Sequence, residues 1–122
     1  MPDQRAQPSL DELAARLAEF ARERDWDQFH APKNLAMALA GEVGELLEHF
    51  QWLSEQQSAN LPAGVKDAVA LEMADVLLYL VRLADKLDID LGAAALRKIG
   101  LNADKYPIEK SRGSSRKYDD PA

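Results

Sequence analysis

The chain has 122 residues, 47% of them hydrophobic and 30% charged, with a formal net charge of −6, which is typical of one folded globular domain and not of a disordered chain. The absence of cysteine excludes disulfides, thiolate metal sites and cysteine nucleophiles. An acidic chain also lacks the basic excess that binding to polymeric nucleic acid usually requires, so no such partner is expected.

The first predicted helix runs from about Leu10 to Arg24. Ser9 is a good N-cap, and Glu12, three residues later, completes a capping box. Apolar side chains then recur with helical spacing at Leu10, Leu13, Leu17 and Phe20. A connector over residues 26–31 follows, and it contains two aromatic residues and a histidine.

The second predicted helix begins at Pro32, because a proline in the first helical turn costs no hydrogen bond. It is expected to end near Trp52, and its apolar face is formed by Leu35, Leu39, Val43, Leu46, Leu47 and Phe50. The polar residues 54–64, which contain a proline and a glycine, are predicted to form a loop.

The third predicted helix runs from about Lys66 to Leu87. Between residues 71 and 84 it is apolar on almost every side, which is typical of a helix that is buried nearly all round. The remaining helices of one chain are too few to cover such a helix, so a homo-oligomer, a dimer or a tetramer, is expected.

The fourth predicted helix is capped by Asp90. It is expected to bend or break at Gly100 and to end before Pro107, since the residue before a proline disfavours the helical conformation. Four helices with short connections, and no segment with strand-like alternation, predict an all-α fold of the four-helix-bundle type.

The sequence also indicates the location of the protein and its domain boundaries. Residues 1–7 lack the apolar core of a signal peptide, and the longest apolar stretch, residues 76–84, is too short to span a bilayer, so a cytoplasmic protein without a membrane partner is expected. We expect one domain over residues 1–106 and a flexible, basic C-terminal tail over residues 107–122. The tail suits an anionic ligand, and a solvated terminus is an equally weighted alternative.

Two pairs of carboxylates carry the functional prediction. Glu42 and Glu45 lie three residues apart on the second helix, and Glu72 and Asp75 lie three residues apart on the third. This spacing places each pair on one helix face, with Cβ atoms about 5–6 Å apart, so two packed helices could aim all four at one point. One such pair is common on a solvated face. The second pair, however, lies in the least polar helix, where an uncompensated carboxylate is expensive.

A hard divalent cation is the expected compensation, because oxygen ligands favour Mg²⁺, Mn²⁺ or Ca²⁺ over zinc. Glu48 extends the first pair by one turn and is either a further ligand or a surface residue. Di-iron carboxylate bundles are a competing architecture, but they use Glu-x-x-His pairs on two helices, and His49 does not follow Glu45 at that spacing.

The fourth helix carries a second candidate group on one face, formed by Lys98, Asn102 and Lys105. Two cations and an amide could meet the phosphate oxygens and the sugar or base edge of a ligand. Spacing alone favours an ordinary solvated face.

Taken together, the sequence resembles the MazG-like all-α nucleotide pyrophosphohydrolase superfamily, and within it the dCTP pyrophosphatase branch. The superfamily signature is Glu-x-x-Glu, a spacer and Glu-x-x-Asp, which corresponds here to Glu42/Glu45, 26 intervening residues and Glu72/Asp75. Similar segments extend over most of the chain from Phe20 onward: residues 24–30, 34–35, 41–46, 50–52, 72–80, 98–107 and 111–118.

The resemblance implies Mg²⁺-dependent cleavage of a nucleoside triphosphate, dCTP or a modified dCTP, between the α and β phosphates, which gives the monophosphate and pyrophosphate. It implies that metal binding and catalysis rest on Glu42, Glu45, Glu72 and Asp75. It suggests that the base pocket is lined by Trp26, His30 and Trp52. It further suggests nucleoside contacts from Tyr79 and Asn102 and phosphate contacts from Lys98 and Lys105. A non-catalytic helical module that binds nucleotides or proteins is the alternative, and pyrophosphate release would distinguish the two.

Overall fold

The computed structural model describes residues 7–120, and all regular structure in this range is helical, which confirms the predicted all-α fold. The helices are α1 (Leu10–Glu23), α2 (Pro32–Glu48), α3 (Glu55–Ser58), α4 (Ala63–Lys86), α5 (Leu91–Lys105) and α6 (Ile108–Ser111), with a 3₁₀ turn at Asp27–Phe29. The expectation that a signal peptide is absent falls mostly on residues 1–6, which lie outside the described residues, as do the last two residues of the predicted tail.

The chain divides into two compact units, one that ends at Ile89 and one that begins at Asp90. The first unit contains α1 to α4, and the second contains α5 and α6. The predicted boundary between a domain over residues 1–106 and a tail over residues 107–122 stays a prediction. In the second unit, the ring of Tyr118 contacts that of Tyr106 edge to face at 6.0 Å, and Lys105 lies 5.0 Å from the Tyr118 ring centre.

Helix α1 begins as predicted, with the Ser9 hydroxyl accepting a hydrogen bond from the Glu12 amide at 3.1 Å. The Glu12 carboxylate accepts from Arg16 instead of completing the capping box. A complete capping box occurs at α3, which the sequence analysis treated as loop: Ser54 and Gln57 exchange bonds of 3.1 and 2.9 Å. The prediction missed this helix because one turn has too few residues to show apolar periodicity.

Helices α1 and α4 end in the same way. Asp25 and Asp88 adopt left-handed conformations, with φ of 55° and 54°. The amide of the next residue bonds to the carbonyl five positions earlier, from Trp26 to Ala21 and from Ile89 to Ala84, both at 2.8 Å. These are Schellman motifs with aspartate where glycine is usual. The first of them turns the chain sharply and places Trp26 directly after α1.

Three predicted helix limits differ from the structure. Helix α2 ends at Glu48 and not near Trp52, because the amides of His49 and Phe50 bond in tightened turns to carbonyls three positions earlier while the apolar spacing continues. Helix α4 begins at Ala63, three residues before the predicted start, with Pro62 as its N-cap. Helix α5 continues through Gly100, where a bend or break was expected, so the cost of one glycine did not end the helix.

Helix α4 lies at the centre of the first unit and packs against α2 and α1. The buried hydrophobic side chains of the described residues are few: Ala21, Leu35, Val69, Val81 and Ala84. The prediction that α4 is buried nearly all round is wrong for a single chain, because Met73, Leu77 and Leu80 form an exposed apolar stripe along it. No helix in the described range is both long and apolar enough to cross a bilayer.

Candidate active site

The packing of α2 against α4 brings three of the four predicted metal ligands to one point. Glu42, Glu45 and Glu72 each offer a carboxylate oxygen that lies within 4.8 Å of the other two. One oxygen of Glu42 and one of Glu72, Oε2 in both, are enclosed and have no hydrogen-bond partner. Enclosed carboxylate oxygens without a donor are costly, so a cation between these side chains would stabilise them.

The electrostatics of this acid cluster, defined as Glu42, Glu45 and Glu72, point the same way. Partial desolvation, and then the neighbouring Glu45 carboxylate, raise the pKa of Glu42 to about 6. The pKa of Glu72 is also raised, first by desolvation and then by Glu45, while the nearby His49 acts in the opposite direction. The neighbouring carboxylates that raise the pKa of Glu42 and of Glu72 repel these groups, and a divalent cation would convert this repulsion into attraction.

The fourth predicted ligand, Asp75, contributes to the raised pKa of both Glu42 and Glu72, so it lies within electrostatic reach of the cluster. The donor set is therefore all oxygen, which fits a hard cation such as Mg²⁺ or Mn²⁺. Glu48 does not belong to the cluster. It lines a separate open depression with His49 and polar residues around α3, so of the two roles left open for it, the ligand role has no geometric support.

A cavity of about 430 Å³ lies in the first unit, a volume within the usual range for small-molecule sites. Its walls are mostly apolar and come from α1, the connector, α2 and α4: Leu13, Leu17, Phe20, Trp26, Leu35, Leu78 and Tyr79. The polar lining consists of Arg16, His30, Asp75 and Arg82. Asp75 therefore belongs both to the cavity wall and to the surroundings of the acid cluster.

The aromatic part of the wall is held in place by local contacts. The rings of Phe20 and Trp26 meet edge to face at 5.7 Å, and the Arg24 guanidinium stacks 3.6 Å from the centre of the Phe20 ring. The Asn34 side chain on α2 donates to the Phe29 carbonyl at 3.1 Å, which ties the connector to the next helix. A flat, partly exposed indole at the rim suits stacking on a planar ring.

The connector is also tied to α4 by charged groups. Arg82 is 5% exposed, and its Nε donates to His30 Nδ1 at 3.1 Å. Its Nη2 donates to Asp27 at 2.8 Å, and Lys86 donates to the same carboxylate oxygen at 3.0 Å. His30 is thus fixed by Arg82, and both residues line the cavity.

Of the predicted substrate-binding residues, Trp26, His30 and Tyr79 line the cavity. Trp52 does not line it and is 87% exposed, just beyond the end of α2. Lys98, Asn102 and Lys105 lie on α5 in the second unit, and all three side chains are exposed. The roles of these four residues stay predictions.

Sequence reasoning missed the contribution of α1 to the cavity, which comes from Leu13, Leu17 and Phe20. Their helical spacing indicated that these side chains are buried, but it did not indicate that they line a cavity. It also gave Arg82 no role. An arginine inside an apolar helix could have indicated such a role, because a buried cation needs partners nearby.

The chain is similar to proteins of known family and activity. The model of the MazG-like family matches residues 38–120. The dCTP pyrophosphatase 1 of Rattus norvegicus is 47% identical over 116 residues, which cover 93% of this chain and 68% of that protein. The Homo sapiens dCTP pyrophosphatase 1 is 46% identical over 114 residues, 92% of this chain and 67% of that one. A crystal structure of a pyrophosphatase from Archaeoglobus fulgidus superposes with a TM-score of 0.76 at 40% identity, and the match covers 86% of this chain and 98% of that one.

Proposed function

The chain belongs to the MazG-like family, and we propose that it is a Mg²⁺-dependent enzyme that hydrolyses dCTP, or a base-modified dCTP, to the monophosphate and pyrophosphate. The general class follows from the relatives: the chain is a nucleoside triphosphate pyrophosphohydrolase. The choice of cytosine as the base and of Mg²⁺ as the metal is what we propose beyond this class. The cytoplasmic location expected from the sequence stays a prediction.

The observation that carries the proposal is the position of Asp75. Its carboxylate lines the cavity, and its charge acts on Glu42 and Glu72 in the acid cluster. A mostly apolar cavity that is large enough for a nucleobase therefore adjoins a group of carboxylates that could hold a cation. A nucleoside triphosphate has the matching order of parts, with a flat base at one end and an anionic chain at the other.

We assign the metal to Glu42, Glu45, Glu72 and Asp75, because the three glutamates offer clustered carboxylate oxygens and one oxygen each of Glu42 and Glu72 is enclosed without a hydrogen-bond partner. When bound there, Mg²⁺ would neutralise phosphate oxygens and lower the pKa of a coordinated water. The carboxylates would hold the ion against the phosphate chain, and one of them would accept a proton from the attacking water. Cleavage adds water across the α–β anhydride. The water oxygen enters one of the two products, the monophosphate or the pyrophosphate, and the bridging oxygen stays with the other.

The other residues bind and orient the nucleoside. We propose that Trp26 and Tyr79 contact the base or sugar, and that His30 hydrogen-bonds to the base edge. Positioning and charge neutralisation supply most of the rate in phosphoryl chemistry, so these contacts matter for turnover as well as for affinity. The predicted contacts of Trp52, Asn102, Lys98 and Lys105 complete the proposal.

A second copy of the chain is part of the proposal, because the apolar stripe of Met73, Leu77 and Leu80 on α4 is uncovered in a single chain. Met73 is 57% exposed, which is unusual for a residue in the middle of the central helix of a unit. A homodimer, or a tetramer made of dimers, would bury this stripe.

The proposal is tested by incubating the protein with Mg²⁺ and a panel of canonical and base-modified deoxynucleoside triphosphates, and by measuring pyrophosphate release. We expect dCTP and its 5-modified forms to be the best substrates, and Glu72→Gln to be inactive. Asp67→Asn is the matched control, since Asp67 is exposed on the same helix outside the cluster. Absence of pyrophosphate with every triphosphate would refute the proposed reaction, and equal rates with purine triphosphates would refute the cytosine assignment.

A further inference from the structure

The hydrogen bond between Arg82 and His30 has a fixed direction. An arginine guanidinium has five N–H donors, no acceptor, and is not deprotonated in proteins. Because Arg82 Nε approaches His30 Nδ1 at 3.1 Å, Nδ1 must be the acceptor and must carry no proton. The imidazole is then neutral, and its single proton lies on Nε2.

The charges around His30 support the neutral form. Burial lowers the pKa of His30, the Arg82 and Lys86 cations lower it further, and the Asp27 carboxylate opposes them. A doubly protonated imidazolium would have no acceptor to offer Arg82 and would face two cations. The same contact thus disfavours both the imidazolium and the tautomer with a proton on Nδ1.

The remaining nitrogen determines what a ligand meets. With Nδ1 occupied by Arg82, Nε2 is the atom of His30 that is left to contact a molecule in the cavity, and it is a donor. Cytosine offers two adjacent acceptors, the ring nitrogen N3 and the oxygen O2. In uracil and thymine N3 carries a hydrogen, so a donor directed at this position meets another donor. A buried donor without an acceptor is penalised more strongly than a missing apolar contact.

We propose that Arg82 is a positioning residue that fixes His30 as a neutral imidazole with an Nε2–H donor towards the nucleobase cavity, and thereby favours bases with an acceptor at N3. This inference rests on the proposed function for its second half, since it requires that the base occupies the cavity. Its first half concerns the free protein alone. Arg82 itself contacts no reacting atom, and it acts through His30.

The partners of Arg82 allow this role to be separated from a structural one. Asp27 and Asp85 balance its charge, at 2.8 and 3.4 Å, on atoms other than the one that reaches His30. Lysine at position 82 keeps a donor-only group. Glutamine offers both a donor and an acceptor, so it leaves either tautomer possible. Arg82→Lys and Arg82→Gln both lose the guanidinium, and only a role in fixing the tautomer predicts that they differ.

The first measurement is nitrogen NMR of the full chain labelled with ¹⁵N-histidine and prepared without a histidine tag. The chain has two histidines, so His49 serves as the internal reference and His49→Asn assigns the signals. We expect the Nε2–H tautomer for His30 at pH values above the unperturbed histidine pKa of about 6.5 in the wild type and in Arg82→Lys, and a mixture of tautomers in Arg82→Gln. Asp85→Asn should leave the tautomer unchanged. A proton on Nδ1 in the wild type, or an unchanged tautomer in Arg82→Gln, would overturn the proposal.

The second measurement is kcat/KM for dCTP and for dUTP. We expect the preference for dCTP to fall at least about tenfold in Arg82→Gln, mainly through KM, to stay within about threefold in Arg82→Lys, and to disappear in His30→Ala. The Mg²⁺-induced stabilisation should be retained in each variant, which also verifies folding. If Arg82→Gln does not fold, a dCTP preference in Arg82→Lys that falls as far as in His30→Ala overturns the proposal.

The two measurements separate this proposal from the proposed function. A wild type that releases no pyrophosphate from any triphosphate refutes the reaction, while the tautomer of His30 is still read in the free protein. Loss of the tautomer in Arg82→Gln with an unchanged dCTP preference overturns the role of Arg82 in base selection and leaves the reaction intact.

Discussion

Replacing Glu72 by glutamine is expected to change thermal stability in opposite directions with and without Mg²⁺. In the metal-free protein the substitution removes one of three neighbouring carboxylates, and the raised pKa of Glu72 shows that its charged form is disfavoured there, so the melting temperature should rise. In the presence of Mg²⁺ the wild type gains stability from metal binding, and the variant has lost a ligand. The two effects have opposite signs, so a general loss of packing cannot reproduce the pattern.

The magnitude follows from the linkage between binding and folding. Free Mg²⁺ at a hundred times its Kd adds about 2.7 kcal/mol when only the folded state binds. For a chain of this size 1 kcal/mol corresponds to about 4 °C in melting temperature, so the wild type should shift by about 10 °C. Loss of one oxygen ligand weakens binding, and we expect Glu72→Gln to show less than about a third of that shift at the same Mg²⁺ concentration.

The assay is a thermal melt at fixed protein concentration in EDTA and across a Mg²⁺ titration. Asp67→Asn on the same helix is the control for removing a negative charge outside the cluster, and its Mg²⁺ response should equal that of the wild type. A wild type that does not respond to Mg²⁺, or a Glu72→Gln variant with an undiminished response, would refute the metal assignment.

Because the pKa of Glu42 is raised from 4.5 to about 6, its contribution to stability is present below pH 4.5 and lost as the pH rises through 6, so in EDTA the melting temperature of Glu42→Gln should exceed that of the wild type increasingly over this interval. A difference that shrinks with rising pH would contradict this. Light scattering should give two or four times the 13.5 kDa chain mass, and Met73→Glu should reduce it, whereas a fully active monomeric wild type would exclude the oligomer. Trp52→Ala should leave the melting temperature unchanged, because the side chain is 87% exposed, and should lower kcat/KM for dCTP. Full activity would remove Trp52 from the base pocket.

The acid cluster could be predicted from the sequence because its information is local. Glu42 and Glu45 share a helix face by spacing alone, as do Glu72 and Asp75. When the two helices pack together, these faces can point to the same place. The helix caps at Ser9 and Asp90 were also local, and both side chains accept the expected amide bonds. The all-α fold follows from the same periodicities.

The contacts of Arg82 could not be predicted, since its partners lie 52 and 55 residues earlier in the chain. Nothing in the spacing of His30 and Asp27 shows that α4 passes beside them. The limits of α2 were missed for a related reason. The apolar pattern through Phe50 continues past Glu48, while the backbone changes to tighter turns that no side-chain pattern records.

The ion pair between Asp27 in the connector and Arg82 in α4 is exposed to solvent on one side only. The Arg82 side chain is 7% exposed, whereas that of its partner Asp27 is 63% exposed. Mobile ions therefore reach the carboxylate but not the guanidinium. Added salt should compete with Arg82 for Asp27 and weaken the group that holds the His30 ring. If Arg82 has the proposed role, the base preference should vary with ionic strength through a carboxylate that lies outside the cavity lining.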